Sequence, residues 1–335
     1  MRIRNKQIIL KKRPIGMPVE SDFDLKESFI EELKDDEVII KVLWLSLDPY
    51  MRGRMSEAKS YANPIKLGEV ITGGAVGEII ESKSSKFLVG DIVESFTIGW
   101  QEFARTKASS LRKINKELAP IQTALGVLGM PGMTAYFGLF DVCKPIPGDV
   151  IVISAASGAV GQLVGQLAKL AGCYVIGIAG KDSKCSYIKD TLNFDKTINY
   201  QKENIYRKLK EYAPNGVNLY FDNVGGKISD DVISNIAPFA RIAICGVISQ
   251  YNLTAPEMGL RVQRAVLTNQ ATIEGFLVFR YEQKYSLGLQ RMSKWVNEKK
   301  IIWKEDIVEG LHNAPSAFIG MMEGRNFGKL LIKVS

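Results

Sequence analysis

The chain has 335 residues, 46% hydrophobic and 24% charged, a soluble globular composition long enough for two domains. No apolar run approaches the ~18 residues of a membrane span, and the basic start offers only Ile8-Ile9-Leu10 as an apolar core, so no secretory signal is read and a cytoplasmic location is expected. Six of the eight net positive charges fall within the first 13 positions (Arg2, Arg4, Lys6, Lys11, Lys12, Arg13) with no aromatic between them, which argues for a solvated basic strand and against a nucleic-acid partner.

In chain order, residues 1 to about 120 are strand-rich and punctuated by glycine. Glu37 to Leu47 is a long, β-branched strand candidate, and Val70 to Ile80 crosses Gly73, Gly74 and Gly77, a pattern of bulges or a barrel corner. Val89 to Val93 reads as strand, turn and strand. A small, partly closed β-barrel is expected, its central strand ending at Asp48-Pro49-Tyr50-Met51-Arg52, where proline stops the ladder and polar side chains would face a cleft. Residues 121 to 141 read as a helical connection interrupted at Met130-Pro131-Gly132.

The stretch from Asp149 to Gly180 organises the rest. Val150 to Ile153 is a strand buried on both faces, followed by a turn of small residues, a helix from Gly161 to Leu170 ended by a left-handed Gly172, and a second buried strand from Tyr174 to Ile178. Strand, glycine turn, helix and strand form the first unit of a dinucleotide-binding sheet, in which the turn's amides and the helix N-terminus receive a pyrophosphate. The glycine pattern is A-x-G-x-x-G at Ala156, Gly158 and Gly161, so Gly158, Ala159, Val160 and Gly161 are the candidate pyrophosphate contacts. An NAD-binding strand usually ends in Asp or Glu. Here the chain continues Ala179-Gly180-Lys181-Asp182-Ser183-Lys184, with two lysines to attract a 2′-phosphate and no acid at the strand end to repel it; NADP is expected. Lys184 also has a plainer reading as a solvated lysine, and Asp182 is read as the N-cap of the next helix over a ribose-binding acid.

Alternation then continues. Helix 182–192 leads to strand 196–200, helix 203–212 to strand 217–222, Gly225-Gly226 and a helix to 236 lead to strand 241–247, and a helix around 258–267 leads to strand 272–278. That makes six strands, the doubly wound count. A helix over 281–300, a helix over 314–323 and a strand over 328–334 follow, and the last of these have no place in the nucleotide sheet, so a return to the first domain is expected. The expected division is a β-barrel-like substrate and catalytic domain at 1–120 and 301–335, and an NADP-binding domain at 121–300.

This order of parts resembles the medium-chain dehydrogenase/reductase superfamily, with a GroES-like barrel before a Rossmann domain. Leu45 to Met55, Gly99-Trp100-Gln101, Leu128 to Tyr136, Asp222-Asn223-Val224-Gly225-Gly226 and Asn326-Phe327-Gly328-Lys329 resemble its zinc-independent prostaglandin reductase, leukotriene dehydrogenase and 2-alkenal or curcumin reductase family. The resemblance covers essentially the whole chain. It implies that Lys184 and Tyr200 meet the 2′-phosphate and adenosine, and that Asn223, the segment Cys245, Gly246 to Tyr251, the run Phe276, Leu277, Val278, and Asn326 line the nicotinamide side. Plainer readings stand beside these: Cys245-Gly246 as the end of a buried strand, Phe276 and Val278 as core, Asn223 as a helix cap. Two departures from the family pattern are Lys181, where a serine is usual, and Asn193 in place of a loop glycine, tolerable because asparagine adopts the left-handed conformation.

Zinc enzymes of the superfamily hold their metal with Cys and His. This chain has one histidine, His312, read as structural, and four scattered cysteines (Cys143, Cys173, Cys185, Cys245), read as reduced thiols and not as a disulfide or zinc frame. The resemblance therefore implies zinc-independent reduction, by NADPH, of the C=C bond of α,β-unsaturated aldehydes or ketones. Tyr251 is the first candidate donor to the substrate oxygen, with an aromatic lid as its plainer role, and Tyr50 is the second. A quinone reductase of the same superfamily is the alternative, followed by a non-catalytic protein binding NADPH or nucleic acid. A homodimer is implied, with edge strands of the nucleotide domains pairing.

Overall fold

The computed structural model describes residues 3–335; Arg2, counted above among the basic residues, lies outside them. Two compact units are present, Met1–Leu125 with Glu305–Ser335, and Gly126–Lys304.

The first unit begins with β1 (Arg4–Leu10), paired antiparallel with β2 (Phe23–Phe29). The acids of β2 answer bases on and just after β1: Arg4 pairs with Glu27, and Lys11 with Asp24 at 3.3 Å. There follow β3 (Glu37–Ser46), the one-turn helix α1 (Tyr50–Arg54), β4 (Ala75–Ser82), β5 (Ile92–Ser95), β6 (Phe103–Lys107) and β7 (Arg112–Lys113). The strand expected from Val70 therefore starts later, at Ala75. The register between β3 and β4 shifts at Val42/Trp44, opposite Gly77, where a Cβ would stand 2.4 Å from the Lys41 carbonyl oxygen; only glycine fits this bulge.

In the second unit α2 (Met130–Phe137) corrects the expected interruption, because Met130-Pro131-Gly132 opens this helix. Proline lies in its first turn, where the missing N–H leaves no bond unmade. Then come β8 (Val150–Ile153), α3 (Gly161–Leu170), β9 (Tyr174–Ala179), α4 (Asp182–Ser186), β10 (Lys196–Asn199), α5 (Ile205–Tyr212), β11 (Val217–Asp222), α6 (Gly226–Ile233), β12 (Ile236–Ile244), α7 (Gln263–Thr268), β13 (Thr272–Gly275) and α8 (Tyr285–Asn297). The strands lie in the order β10-β9-β8-β11-β12-β13, all parallel, so the order reverses beside β8 as in a doubly wound sheet. Gly172 and Asn193 adopt the expected positive φ, 82° and 63°. The apolar faces of β8 to β12 meet α5 and α6 around Ile176, Ile198, Leu209, Tyr220, Val232 and Ile242.

The chain then returns to the first unit through β14 (Glu305–Glu309), α9 (Ala314–Met322) and β15 (Lys329–Lys333). β15 pairs antiparallel with β3, giving the order β14-β15-β3-β4-β5-β7, with β6 also on β3. This curled sheet closes on a core containing Trp100, which stacks on Phe23 at 5.9 Å and meets Phe318 edge-on at 5.7 Å. Among the described residues no helix is long and apolar enough to cross a membrane.

Candidate active site

The turn after β8 is built by contacts that only glycine permits. A Cβ on Gly161 would lie 2.4 Å from the Ala155 carbonyl oxygen and 2.8 Å from the Ala156 Cα, so the start of α3 sits directly on the turn. A Cβ on Gly158 would meet only the Ala155 oxygen, at 3.1 Å; the rest of its surroundings is open. Bare backbone at the N-terminal end of a ten-residue helix fits a pyrophosphate.

At the end of β9, Gly180 is bare because Tyr200 covers it: a Cβ there would stand 2.9 Å from the Tyr200 ring and hydroxyl. Tyr200 remains 46% exposed, and Lys184 is half-buried on α4. The N-cap of α4 is Lys181, and Asp182 is its first residue, which corrects the expectation that Asp182 caps the helix. Its carboxylate turns instead to the next strand, accepting from Asn199 Nδ2 at 2.6 Å and from Lys202 Nζ. Those two donors, Lys202 first, hold Asp182 below the usual carboxylate range.

Sequence reasoning missed the hub of the other rim. Asp222, buried at the end of β11, accepts through Oδ1 from Tyr220 Oη at 2.8 Å, Ser154 Oγ at 3.0 Å, and the amides of Val224 and Gly225 at 2.9 Å each. Its carbonyl accepts from the amides of Cys245 and Gly246 at 2.8 and 3.1 Å. One acid thus binds together the ends of β8, β11 and β12. A charged residue directly after the apolar run Leu219-Tyr220-Phe221 was the available signal. Asn223 does not cap α6. Its amide and its Nδ2 both donate to Ser154, at 2.8 Å each, and the N-cap is Gly225 at φ 73°.

Cys245 and Gly246 lie just beyond β12, which ends earlier than expected. Burial first, then Asp222, pushes the Cys245 thiol up to about 12, so it is no thiolate nucleophile at neutral pH. A Cβ on Gly246 would come within 3.6 Å of Tyr251 Oη and 3.4 Å of the Asn223 carbonyl oxygen; the phenol of Tyr251 therefore stands at the same rim as Asn223. Phe276 and Val278 are buried. The Phe276 ring lies edge-on to Phe221 at 6.1 Å, which leaves its backbone, not its side chain, for a ligand. Leu277 between them is exposed.

Tyr50 and Asn326 belong to the first unit. Asn326 donates to the Gly328 carbonyl at 3.1 Å. Tyr50 opens α1 two residues after Asp48. The expectation that the polar side chains of Asp48 to Arg52 face a cleft is corrected for Asp48 and Arg52, which are buried; what sequence reasoning missed is the partner that makes Asp48 tolerable there. Lys329 Nζ donates to Asp48 Oδ1 at 2.6 Å and to the Leu47 carbonyl at 2.9 Å, and Ser46 Oγ donates to Asp48 Oδ2. Both ionic side chains are almost wholly buried, at 3% and 7% exposure. Burial first, then Asp48 and Tyr61, raise the Tyr50 phenol far above its ordinary range, with Arg54 opposing. Tyr50 is thus a neutral hydrogen-bond donor throughout the working pH range. The Arg54 guanidinium lies 6.0 Å from the Tyr50 ring centroid and 5.4 Å from that of Tyr61.

Residues 6–114 match a family described as the N-terminal domain of oxidoreductase, and residues 159–294 one described as zinc-binding dehydrogenase. A 2-alkenal reductase (NADP+-dependent) of Nicotiana tabacum is 44% identical over 99% of this chain and 98% of its own. An NADPH-dependent curcumin reductase of Escherichia coli is 38% identical over 99% and 97%. The crystal structure of CurA in complex with NADPH from Vibrio vulnificus superposes with a TM-score of 0.94, at 42% identity over 98% and 99%. The chain belongs to the zinc-independent medium-chain dehydrogenase/reductase family. Its members share a barrel followed by a doubly wound sheet, the order found here. The donor set does not fit the zinc of the matched description: among the described residues no three or more His, Cys, Asp or Glu are grouped to hold a metal ion. His312 is exposed in a short turn before α9, its ring packed against Gly310.

Proposed function

We propose that this medium-chain reductase uses NADPH to reduce the C=C bond of α,β-unsaturated aldehydes and ketones. The observation that carries the reading is identity over almost the whole chain with relatives named for 2-alkenal and curcumin reduction. The cofactor supplies a hydride to the β-carbon. The chain's residues do the rest. Gly158 to Gly161 would bind the pyrophosphate; Lys184 and Tyr200 would bind the 2′-phosphate and adenosine; Asn223, Cys245, Gly246, the backbone of Phe276 to Val278, and Asn326 would hold the nicotinamide side. Reduction of an enone places negative charge on its carbonyl oxygen, and a neutral phenol would be the donor that stabilises it. Tyr251 is assigned that role, with Tyr50 as the second donor. In this reading the second unit is the cofactor domain and also carries Tyr251, while the first unit contributes the second donor, Tyr50.

The family also holds quinone reductases, so the deciding experiment is a substrate panel. NADPH oxidation with 2-alkenals and enones is expected, and activity confined to quinones would reverse the assignment.

We further propose a cytoplasmic homodimer. β13 is an edge strand, and Leu267, Ile273, Leu277 and Phe279 on and around it are exposed, an apolar surface suited to a second copy. Sedimentation as a monomer at micromolar concentration would contradict this. Nucleic acid is not proposed as a partner, since Arg4 and Lys11 are paired with acids of β2.

A further inference from the structure

We infer that Lys202 is a cofactor-selectivity residue that acts through Asp182: by pairing with this carboxylate it masks the one acid in the loop where a 2′-phosphate is to bind. The inference rests on the NADPH reading above and adds to it a residue that does not itself touch the phosphate.

The segment from Ala179 to Cys185 contains two lysines and a single acid, Asp182. A bare carboxylate there would act twice against NADPH, repelling a dianionic phosphate and offering an acceptor to the ribose hydroxyl of NADH. The fold prevents both. β9 and β10 run parallel with Asn199 opposite Ala179, which sets the last residue of β10 beside the loop that leaves β9. Asn199 is buried and serves both sides of the junction. Its Nδ2 fixes Asp182 Oδ1 at 2.6 Å, while its carbonyl accepts from the amides of Lys202 and Glu203 at 2.9 and 2.8 Å, and its Oδ1 accepts from Gln201 N at 3.1 Å. The turn that carries Lys202 is therefore wound around the same residue that clamps Asp182. Lys202 Nζ closes on the remaining oxygen, Oδ2. Both charged side chains are about two-thirds exposed, at 66% and 64%, so the pair adds little to stability. Its effect is on the local field. Removing Lys202 leaves the positive charges of Lys181 and Lys184 in place and uncovers a negative one among them.

The test is a double-mutant cycle on binding, using wild type, Lys202→Ala, Asp182→Asn and the double variant. Dissociation constants for 2′,5′-ADP and 5′-AMP are measured calorimetrically at one low ionic strength, because the effect is screened by salt. One unmasked surface charge weakens a divalent anion by about three- to tenfold in a water-like dielectric. Lys202→Ala is therefore expected to weaken 2′,5′-ADP by that factor and to leave 5′-AMP within about twofold. Asp182→Asn alone should bind 2′,5′-ADP at least as tightly as wild type. The double variant should return to about the wild-type value, which a direct phosphate contact by Lys202 would not allow. A double variant as weak as Lys202→Ala overturns the inference in favour of direct contact, and a Lys202→Ala variant that binds like wild type overturns it outright. A wild type that does not prefer 2′,5′-ADP to 5′-AMP would instead overturn the NADPH reading beneath it.

Discussion

Two strand ends in this protein carry the same chemistry, a lysine paired with an aspartate, in opposite surroundings. At the ends of β9 and β10, Lys202 and Asp182 meet in water; where β3 ends and β15 begins, Lys329 and Asp48 meet with 3% and 7% of their side chains exposed. The difference in burial decides what each pair does. An exposed pair is a small, salt-sensitive adjustment to the field around a ligand. A buried pair is a geometric fixture. Its charges have lost their water, and each depends on the other, on Ser46 and on the Leu47 carbonyl to be tolerated at all. It ties the strand end that leads into Tyr50 to the segment that leads out of Asn326.

The comparison is broken most severely by removing one member of the buried pair. Lys329→Met leaves Asp48 buried without its counter-charge and should cost about 3 to 5 kcal/mol of stability, read as a lowered unfolding midpoint in urea. Replacing both residues, Lys329→Met with Asp48→Leu, should recover much of that stability. If the double variant regains stability but not activity, the pair is shown to act by positioning its neighbours.

Next in size is the phenol. Tyr251→Phe should lower kcat about a hundredfold, the usual cost of one donor to a developing oxyanion, with a smaller loss for Tyr50→Phe; the reverse order would move the donor to the first unit. Smaller again, Lys184→Ala should weaken NADPH about ten- to a hundredfold, the worth of one charge-assisted contact, and leave NADH nearly unchanged. Equal losses with both cofactors would make Lys184 a support for the loop. Lys181→Ala should do less than Lys184→Ala at the same ionic strength.

The two ends also differ in how much of them was legible in the sequence. Strands β8 and β9, helix α3 and the glycine turn stood out because double burial writes a strand as an unbroken apolar run and the turn needs residues without side chains. The return of β15 to the first unit was legible for a different reason, since the six-strand sheet was already complete. Partnerships were not legible. Asp182 looked like a helix cap because local sequence shows only the helix it precedes; Asn199 and Lys202, which claim it, arrive from the next strand. Asp48 and Lys329 are 281 positions apart, and Asp222 gathers groups from three strands. Such pairings depend on sheet register, which no local pattern carries. Boundaries failed at strand ends, as where β12 spans Ile236–Ile244 against the expected 241–247; the helix expected over 182–192 is helical to Thr191, with wider turns after Ser186.

The most direct test of the account is the fate of the transferred hydrogen. The protein is to be incubated with 2-alkenal and NADPH carrying deuterium at the transferable position of the nicotinamide, and the product analysed by mass spectrometry and NMR. A saturated aldehyde with one deuterium on its β-carbon is expected. An allylic alcohol with deuterium on the former carbonyl carbon, or cofactor consumption that requires a quinone, would contradict it.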